Sequence, residues 1–348
     1  MIRTIKWISV SLSILLVLFM ALMLVNEIND VPPPKQFNSG LQLKGKELDY
    51  YYIDFSTGKY LYGKQHYQFD TAGIPLFSKS GKTYYHPVLI SQYALGAYDY
   101  YLQNQDSVAK TAFLCCADWL AENLHQHDHF FYWEYHFEIE FPGGIYDIPW
   151  FSAMTQGQGA SVLLRAYGLT AEEKYLLTAR SAIEPLFFDL AQGGLSIVKG
   201  DNYIFPQEYP TNPPSDILNG AIYALFGIYD YLRVTDDPEI RQKYQTIINT
   251  FRRNIDDYDT QNWSLYCRWP GYWATPHYNS DHITQLKILY RISGIQKFDD
   301  YSKKFATYHF NWGNRANYVF RNHWRQLREF NPDDLRKIPD FLKRAFTN

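Results

Sequence analysis

NGAIYALFGIYDYLRVTDDPE, residues 219–239, decides the fold. Apolar side chains recur every three or four residues along it, as on the buried face of an α-helix. The helix ends near a tyrosine, a polar turn follows, and Asp236-Asp237-Pro238 opens a second helix. The same plan returns in SQYALGAYDYYLQNQDS (91–107), GASVLLRAYGLTAEEKY (159–175) and HITQLKILYRISGIQKF (282–298). A helical hairpin plus a long connection at a period of roughly 60 to 70 residues marks a repeat architecture rather than one compact bundle. Periodicity places helices near 87–102, 106–125, 153–168, 171–190, 215–234, 237–256, 280–293 and 296–312. The chain therefore reads as mainly α, with four hairpins forming a partial α/α toroid of inner and outer helices over 82–348.

The flanking segments read differently. Residues 41–81 (LDYYYIDF, KYLYG, HYQFD) are short, aromatic and glycine-punctuated, which predicts a small β-rich segment. FFYWEYHFEIEF (130–141) alternates with period two and predicts a β-hairpin inserted at the rim of the toroid. WISVSLSILLVLFMALMLV (7–25) is uncharged and about long enough to cross a bilayer as a helix. With Arg3 and Lys6 before it, the expectation is a signal anchor. Residues 1–6 would be cytoplasmic, 26–40 (with VPPPK) a stiff linker, and the remainder extracytoplasmic, at a cell surface, in a periplasm or in a Golgi lumen.

Composition narrows the function. A formal charge of -3 over 348 residues, with no Lys/Arg block, lacks the electrostatic footprint of a nucleic-acid partner. Aromatic residues reach 18% of the chain, with 31 Tyr, 23 Phe and 9 Trp. Rings with a polar edge suit sugar binding, although composition bias alone would also produce a Tyr-rich core. Cys115, Cys116 and Cys267 make no disulfide framework and read as free thiols. HQHDHF (125–130) lacks a recognised ligand spacing and reads as a solvated turn, so no metal is expected.

Four distinctive segments immediately precede the first helix of each pair: KTYYHP (82–87), GGIYDIPWFSAMTQGQ (143–158), QEYPTNPPSD (207–216) and PHYNSDH (276–282). First helices of successive hairpins run the same way, so these segments should gather on one rim. That rim collects Tyr85 and His86, then Tyr146, Trp150, Gln156 and Gln158, and finally Glu208, Tyr209, Tyr278 and His282. Asn219 joins them as a substrate-binding candidate. Helix N-termini favour anions, so the natural ligand is a negatively charged sugar. Ser215 or Asp216, and Ser280 or Asp281, are candidate N-caps. Pro210, Pro213 and Pro214 fix the approach to the third pair, holding Glu208 and Tyr209 out of the helix.

AMTQGQGASVLLRAY (153–167), EYPTNPPSDILNGAIYALFGIYD (208–230) and HYNSDHITQLKIL (277–289) resemble the C-terminal catalytic region of the D-glucuronyl C5-epimerase family. The similarity runs from about Tyr84 to the end of the hairpins. It implies an α/α toroid, inversion at C5 of glucuronic acid units within a heparan- or heparosan-like polysaccharide, and no cofactor. It also implies an acid and several tyrosines as the reacting groups: Glu208, Tyr209, Tyr266 and Tyr278. Arg268 resembles the arginine that holds the substrate carboxylate, although the family has Tyr-Asp-Leu-Arg where this chain has Tyr266-Cys267-Arg268. Asn279 replaces a histidine of the family pattern, and His282 is retained.

The residues make chemical sense of that implication. Removing the C5 hydrogen loads charge onto a group that is already a carboxylate, so a positive field is needed. Inversion also needs a base on one face of the ring and an acid on the other. Glu208 and Tyr278 come from separate segments and can flank a sugar, with Tyr209 and Tyr266 as hydrogen-bonding support. A polysaccharide lyase shares the deprotonation and stays open. So does a membrane-anchored glycan-binding protein without catalysis. A glycoside hydrolase would want two carboxylates, for which only Asp147 joins Glu208. No sequence feature fixes an oligomeric state, and a homodimer stays open.

Overall fold

Helix α1, Pro87–Asn104, begins where the sequence supplies both a cap and a preset φ. The Leu89 amide donates to His86 Nδ1 at 3.2 Å, and Pro87 needs no amide partner. In this computed structural model, which describes residues 18–35, 37–38, 40–141 and 144–329, α1 is the first of four inner helices. The others are α3 (Ala153–Thr170), α5 (Leu218–Thr235) and α7 (Pro276–Ser293). Each is followed by an outer partner: α2 (Ser107–Glu122), α4 (Glu173–Ile183), α6 (Pro238–Asn254) and α8 (Gln296–Phe310). The inner helices pack in sequence order and each packs on its own partner, giving an open arc of hairpins. A further helix, α9 (Trp312–Glu329), follows these eight and extends the arc.

The two layers differ as their sequences require. In α5 nearly every residue from Leu218 to Arg233 is buried, whereas α6 buries a stripe of Ile240, Tyr244, Ile247, Ile248 and Phe251 and exposes its charged face. Inner helices meet closely. A Cβ on Gly157 of α3 would lie 2.4 Å from the Ala224 Cα and 2.5 Å from the Tyr223 carbonyl oxygen of α5. Gly157→Ala is therefore expected to cost about 1–3 kcal/mol, because backbone cannot yield as a side chain can. A denaturant midpoint unchanged from wild type would contradict this.

The N-terminal segment departs from expectation. Only β1 (Gln68–Phe69), β2 (Pro75–Lys79) and β3 (Lys82–Tyr85) form a sheet there, antiparallel in the order β1-β2-β3. Upstream, a π-type turn at Ser56–Leu61 and a single helical turn at Tyr62–His66 replace strands. Residues 42–50 instead satisfy their backbone through arginines of the inner helices. Arg233 donates to the carbonyls of Gln42, Gly45 and Glu47, and Arg165 to those of Asp49 and Tyr50. Arg165 also pairs with Asp230 at 2.7 Å, both fully buried, and Tyr52 donates to the same carboxylate at 2.7 Å.

The inserted hairpin is likewise more broken than period two suggested. β4 (His125–His127) pairs with β5 (Phe130–Tyr132), β6 (Glu140–Phe141) with β7 (Gly144–Ile145), and a lone bridge joins Tyr135 to Trp150. His127 bonds Glu134, and all three cysteines are free thiols. A further ribbon, β8 (Ser196–Val198) with β9 (Ile204–Pro206), leads into the segment that carries Glu208.

The membrane expectation is corrected. Residues 18–29 are helical, but no helix among the described residues is long and apolar enough to cross a membrane. Ile28, near the end of the helix at 18–29, is buried in the body. Residues 7–17 of the expected span, and the expected tail at 1–6, lie outside the described residues. The transmembrane helix, the membrane as partner and the single-pass extracytoplasmic placement are therefore not supported. VPPPK also does more than space: the Lys35 amide donates to Ser280 Oγ at 3.0 Å, and Thr284 donates to the Lys35 carbonyl at 2.8 Å, fixing the segment along α7.

Candidate active site

The N-terminal ends of the four inner helices converge on a cavity of about 630 Å³. His86 and Gln92 reach it from the start of α1, Ser152 and Met154 from α3, Asn219 and Tyr223 from α5, and His277, Tyr278 and Asp281 from α7. The broken hairpin adds Tyr135, Phe137 and Trp150, and the Pro-rich approach to α5 adds Glu208 and Tyr209. Lys35, Lys59 and the β2 sheet close the remaining side.

Glu208 is 6% exposed, and its Oε2 has no hydrogen-bond partner among the described residues. Burial pushes its carboxyl up to about 7, opposed by the Tyr209 hydroxyl and assisted by the charge of Asp281. It can therefore gain and lose a proton at neutral pH. Gly220 makes room for it: a Cβ there would lie 2.1 Å from Glu208 Oε2.

The tyrosines surround that carboxyl. Tyr209 sits well above its ordinary pKa through burial and then Glu208's charge, and its ring lies 6.0 Å from Tyr146, 5.6 Å from Trp150 and 5.2 Å from Phe141. Tyr278 is pushed up to about 12 by burial and by Glu208 and Asp281, with the Tyr266 hydroxyl opposing. The Tyr266 and Tyr278 rings lie 4.7 Å apart. Tyr266 is held well above the usual range by burial and the charge of Glu208. A protonated phenol is thus kept beside a carboxyl poised near neutrality.

The remaining expected residues divide. Trp150 and Asn219 line the cavity, Trp150 stacked on Tyr135 at 3.8 Å with its indole donating to the Phe137 carbonyl. Tyr146 stands behind Tyr209. Gln156 is buried under the hairpin, donating to the Phe131 and Ala182 carbonyls, and Gln158 accepts from Gln92. His282 Nδ1 lies 2.9 Å from Ser264 Oγ, within a buried cluster with Asn279 and His309; burial drops its pKa to about 3 and keeps it neutral. Tyr85 turns outward to Asp70 at 2.8 Å.

Arg268 is placed elsewhere. Its guanidinium donates to Asp216 at 2.6 and 3.0 Å, to Asp257 at 2.9 Å and to the Tyr203 hydroxyl at 2.9 Å, and it is not among the residues that line the cavity. Asp216 is committed to that contact and to Gln207, so it does not cap α5, whose N-cap is Ile217; α7 is capped by Thr275 rather than by Ser280 or Asp281.

Several lining residues carry no site role in the sequence reading, Asp281 entering it only as a candidate N-cap. Tyr223 and Asp281 lie inside quoted motifs, at helical positions that face the cavity. Asp281 pairs with Lys35 at 2.6 Å. Lys35 and Lys59 come from segments whose sequence carries no signal of the site.

Three comparisons bear on this arrangement. The family model described as D-glucuronyl C5-epimerase C-terminus matches residues 127–307, just over half of the chain. A D-glucuronyl C5-epimerase of Caenorhabditis elegans is 31% identical over 214 residues, covering 55% of this chain and 33% of that protein. An uncharacterized protein of Methanocaldococcus jannaschii is 31% identical over 180 residues, covering 50% of this chain and 57% of its own. The chain thus spans between a third and somewhat over half of these relatives' own lengths. A solved glycoside hydrolase family 76 mannosidase of Bacteroides thetaiotaomicron aligns with a TM-score of 0.42 at 15% identity, over 67% of this chain and 62% of that one. With its motifs, its inner-helix cavity and the matched region all coinciding, the chain belongs to the D-glucuronyl C5-epimerase C-terminus family.

Proposed function

We propose that this chain is a cofactor-independent epimerase that inverts C5 of D-glucuronic acid units in an anionic polysaccharide, giving L-iduronic acid. The observation that carries the reading is the buried Glu208 carboxyl, near neutrality, facing the same cavity as the protonated Tyr278. Ionised Glu208 takes the C5 proton, and the C5–H electron pair spreads into the adjacent carboxylate. Tyr278 returns a proton to C5 from the other face. Tyr209 and Tyr266, beside these two groups, support them and help restore their starting protonation. The α/α arc supplies rigidity, since Tyr278 sits in the first turn of α7 and Glu208 lies on the short ribbon-fixed approach to α5.

The test is C5 deuterium incorporation from D₂O across a panel of uronic-acid polymers, N-acetylated and N-sulfated heparosan included. Deuterium at C5 of an intact polymer, with L-iduronate appearing, supports the reading. Chain shortening with an ultraviolet-absorbing unsaturated end would indicate a lyase instead. No exchange on any polymer would remove the proposal.

Gly220 provides a second probe of the same geometry. A Cβ at Gly220 would also lie 2.6 Å from the Glu208 Cβ, so Gly220→Ala must shift the segment that carries Glu208 as well as its carboxyl, and a displacement of about 1 Å can cost on the order of 100-fold in rate. Wild-type exchange rates in this variant would show that the Glu208 position is not critical.

A further inference from the structure

Deprotonating C5 next to a carboxylate needs a cation whose charge is not already cancelled. Around the cavity, most positive candidates are accounted for. Lys35 is paired with Asp281 at 2.6 Å. His86 is held down to about 4 by burial, and His277 is lowered by burial and then by the charge of Lys35. His66 is exposed at the cavity edge, its Nδ1 2.8 Å from the Tyr62 carbonyl and its ring stacked on Tyr62 at 4.0 Å. Arg268 is enclosed by Asp216, Asp257 and Tyr203.

Lys59 remains. It is half-buried, lines the cavity with Glu208 and Tyr278, and its ammonium group makes no hydrogen bond or ion pair among the described residues. The π-type turn at Ser56–Leu61 delivers it: the Tyr60 amide donates to the Phe55 carbonyl at 3.1 Å, and the buried Tyr60 ring packs 5.3 Å from Tyr93 and 5.4 Å from Tyr100 of α1. With Tyr60 anchored on the inner helix, its neighbour is presented to the cavity. Burial, reinforced by Lys35 and offset by Asp281, lowers the Lys59 pKa. An entering anion would relieve that cost.

Resting on the epimerase reading above, we infer that Lys59 binds the C6 carboxylate of the uronic acid unit and is the residue that selects uronic acids over neutral hexoses. The role that motif resemblance gives to Arg268 thereby passes to a lysine from a different part of the chain. As a cation next to the carboxylate, Lys59 would also stabilise the charge that builds there when the C5 proton leaves.

The experiment measures binding of a heparosan hexasaccharide and of its carboxyl-reduced counterpart by calorimetry, on the full chain and on Lys59→Met and Lys59→Arg. Wild type should prefer the acid by about 10- to 100-fold, the range of a charge-assisted contact. Lys59→Met should lose that preference while its affinity for the reduced oligosaccharide stays the same, which a folding defect would not reproduce. Lys59→Arg should keep part of the preference. A preference retained in Lys59→Met, or none in wild type, overturns the assignment. Deuterium exchange on wild type separates the two readings: preferential binding through Lys59 without C5 exchange would sink the epimerase reading alone. Exchange with the preference intact in Lys59→Met would sink only the Lys59 assignment.

Discussion

Glu208→Gln is expected to lower C5 deuterium exchange from a glucuronic acid polymer by about 10²–10⁴-fold, the range attributable to a positioned general base. The amide keeps the shape of the carboxyl and cannot take a proton. The pH dependence has a definite sign. The base must be ionised, and burial raises Glu208 to about 7, so the wild-type rate should climb as pH rises through that value. A rate already level from pH 5 upward would show that another group is the base. Stability should move the other way. A folded-state pKa above the ordinary 4.5 means that the native state holds its proton more tightly than the unfolded chain. Wild type therefore loses stability as pH rises from about 4.5 through about 7. Glu208→Gln has no such loss and should be the more stable protein by about 1–3 kcal/mol at pH 8, read by denaturant titration. An inactive variant of undiminished stability would place the defect in chemistry rather than folding.

Tyr278→Phe separates inversion from exchange. Removing the phenol deletes the proton donor on the second face while leaving Glu208 able to remove the C5 proton. Iduronate formation should fall by about 10²–10³-fold. Deuterium should still enter C5 with retained configuration, at a smaller loss, because the intermediate is reprotonated from the Glu208 side. Equal losses of exchange and inversion would mean that Tyr278 serves binding or the first deprotonation. The burial of Tyr278 and its elevated pKa favour the donor role, because a phenol near 12 stays protonated throughout the neutral range. Its contact with Tyr266, 4.7 Å between rings, offers a route by which the proton is replaced.

The helical hairpins were legible because periodicity is a local property that burial then satisfies. On α5 and α6 the bounds agree to within a few residues: apolar positions at i, i+3 and i+4 become one buried face on α6 and an all-round buried surface on α5. α9 (Trp312–Glu329) is strongly amphipathic, so its periodicity is present in the sequence beneath a composition that is polar overall. Residues 41–66 read as strands, and the structure differs. Their aromatic content matches β-propensity, but carbonyls within 42–50 are taken by Arg165 and Arg233, far off in sequence, and 56–66 close on themselves in helical turns. The uncharged span at 7–25 met a length criterion that the helix at 18–29 does not meet among the described residues.

The repeat of helical hairpins, the family, and the segments that carry Glu208, Tyr209 and Tyr278 can all be read along the chain, because each is written in neighbouring residues. Only the tertiary structure decided which charges are available at the cavity. Arg268 lies beside Tyr266 in sequence, yet Asp216 and Asp257 absorb its charge; Lys59 belongs to no motif, yet it reaches the cavity without a carboxylate partner among the described residues. Charge compensation depends on neighbours through space at a few ångströms, and the order of residues along the chain does not encode those distances.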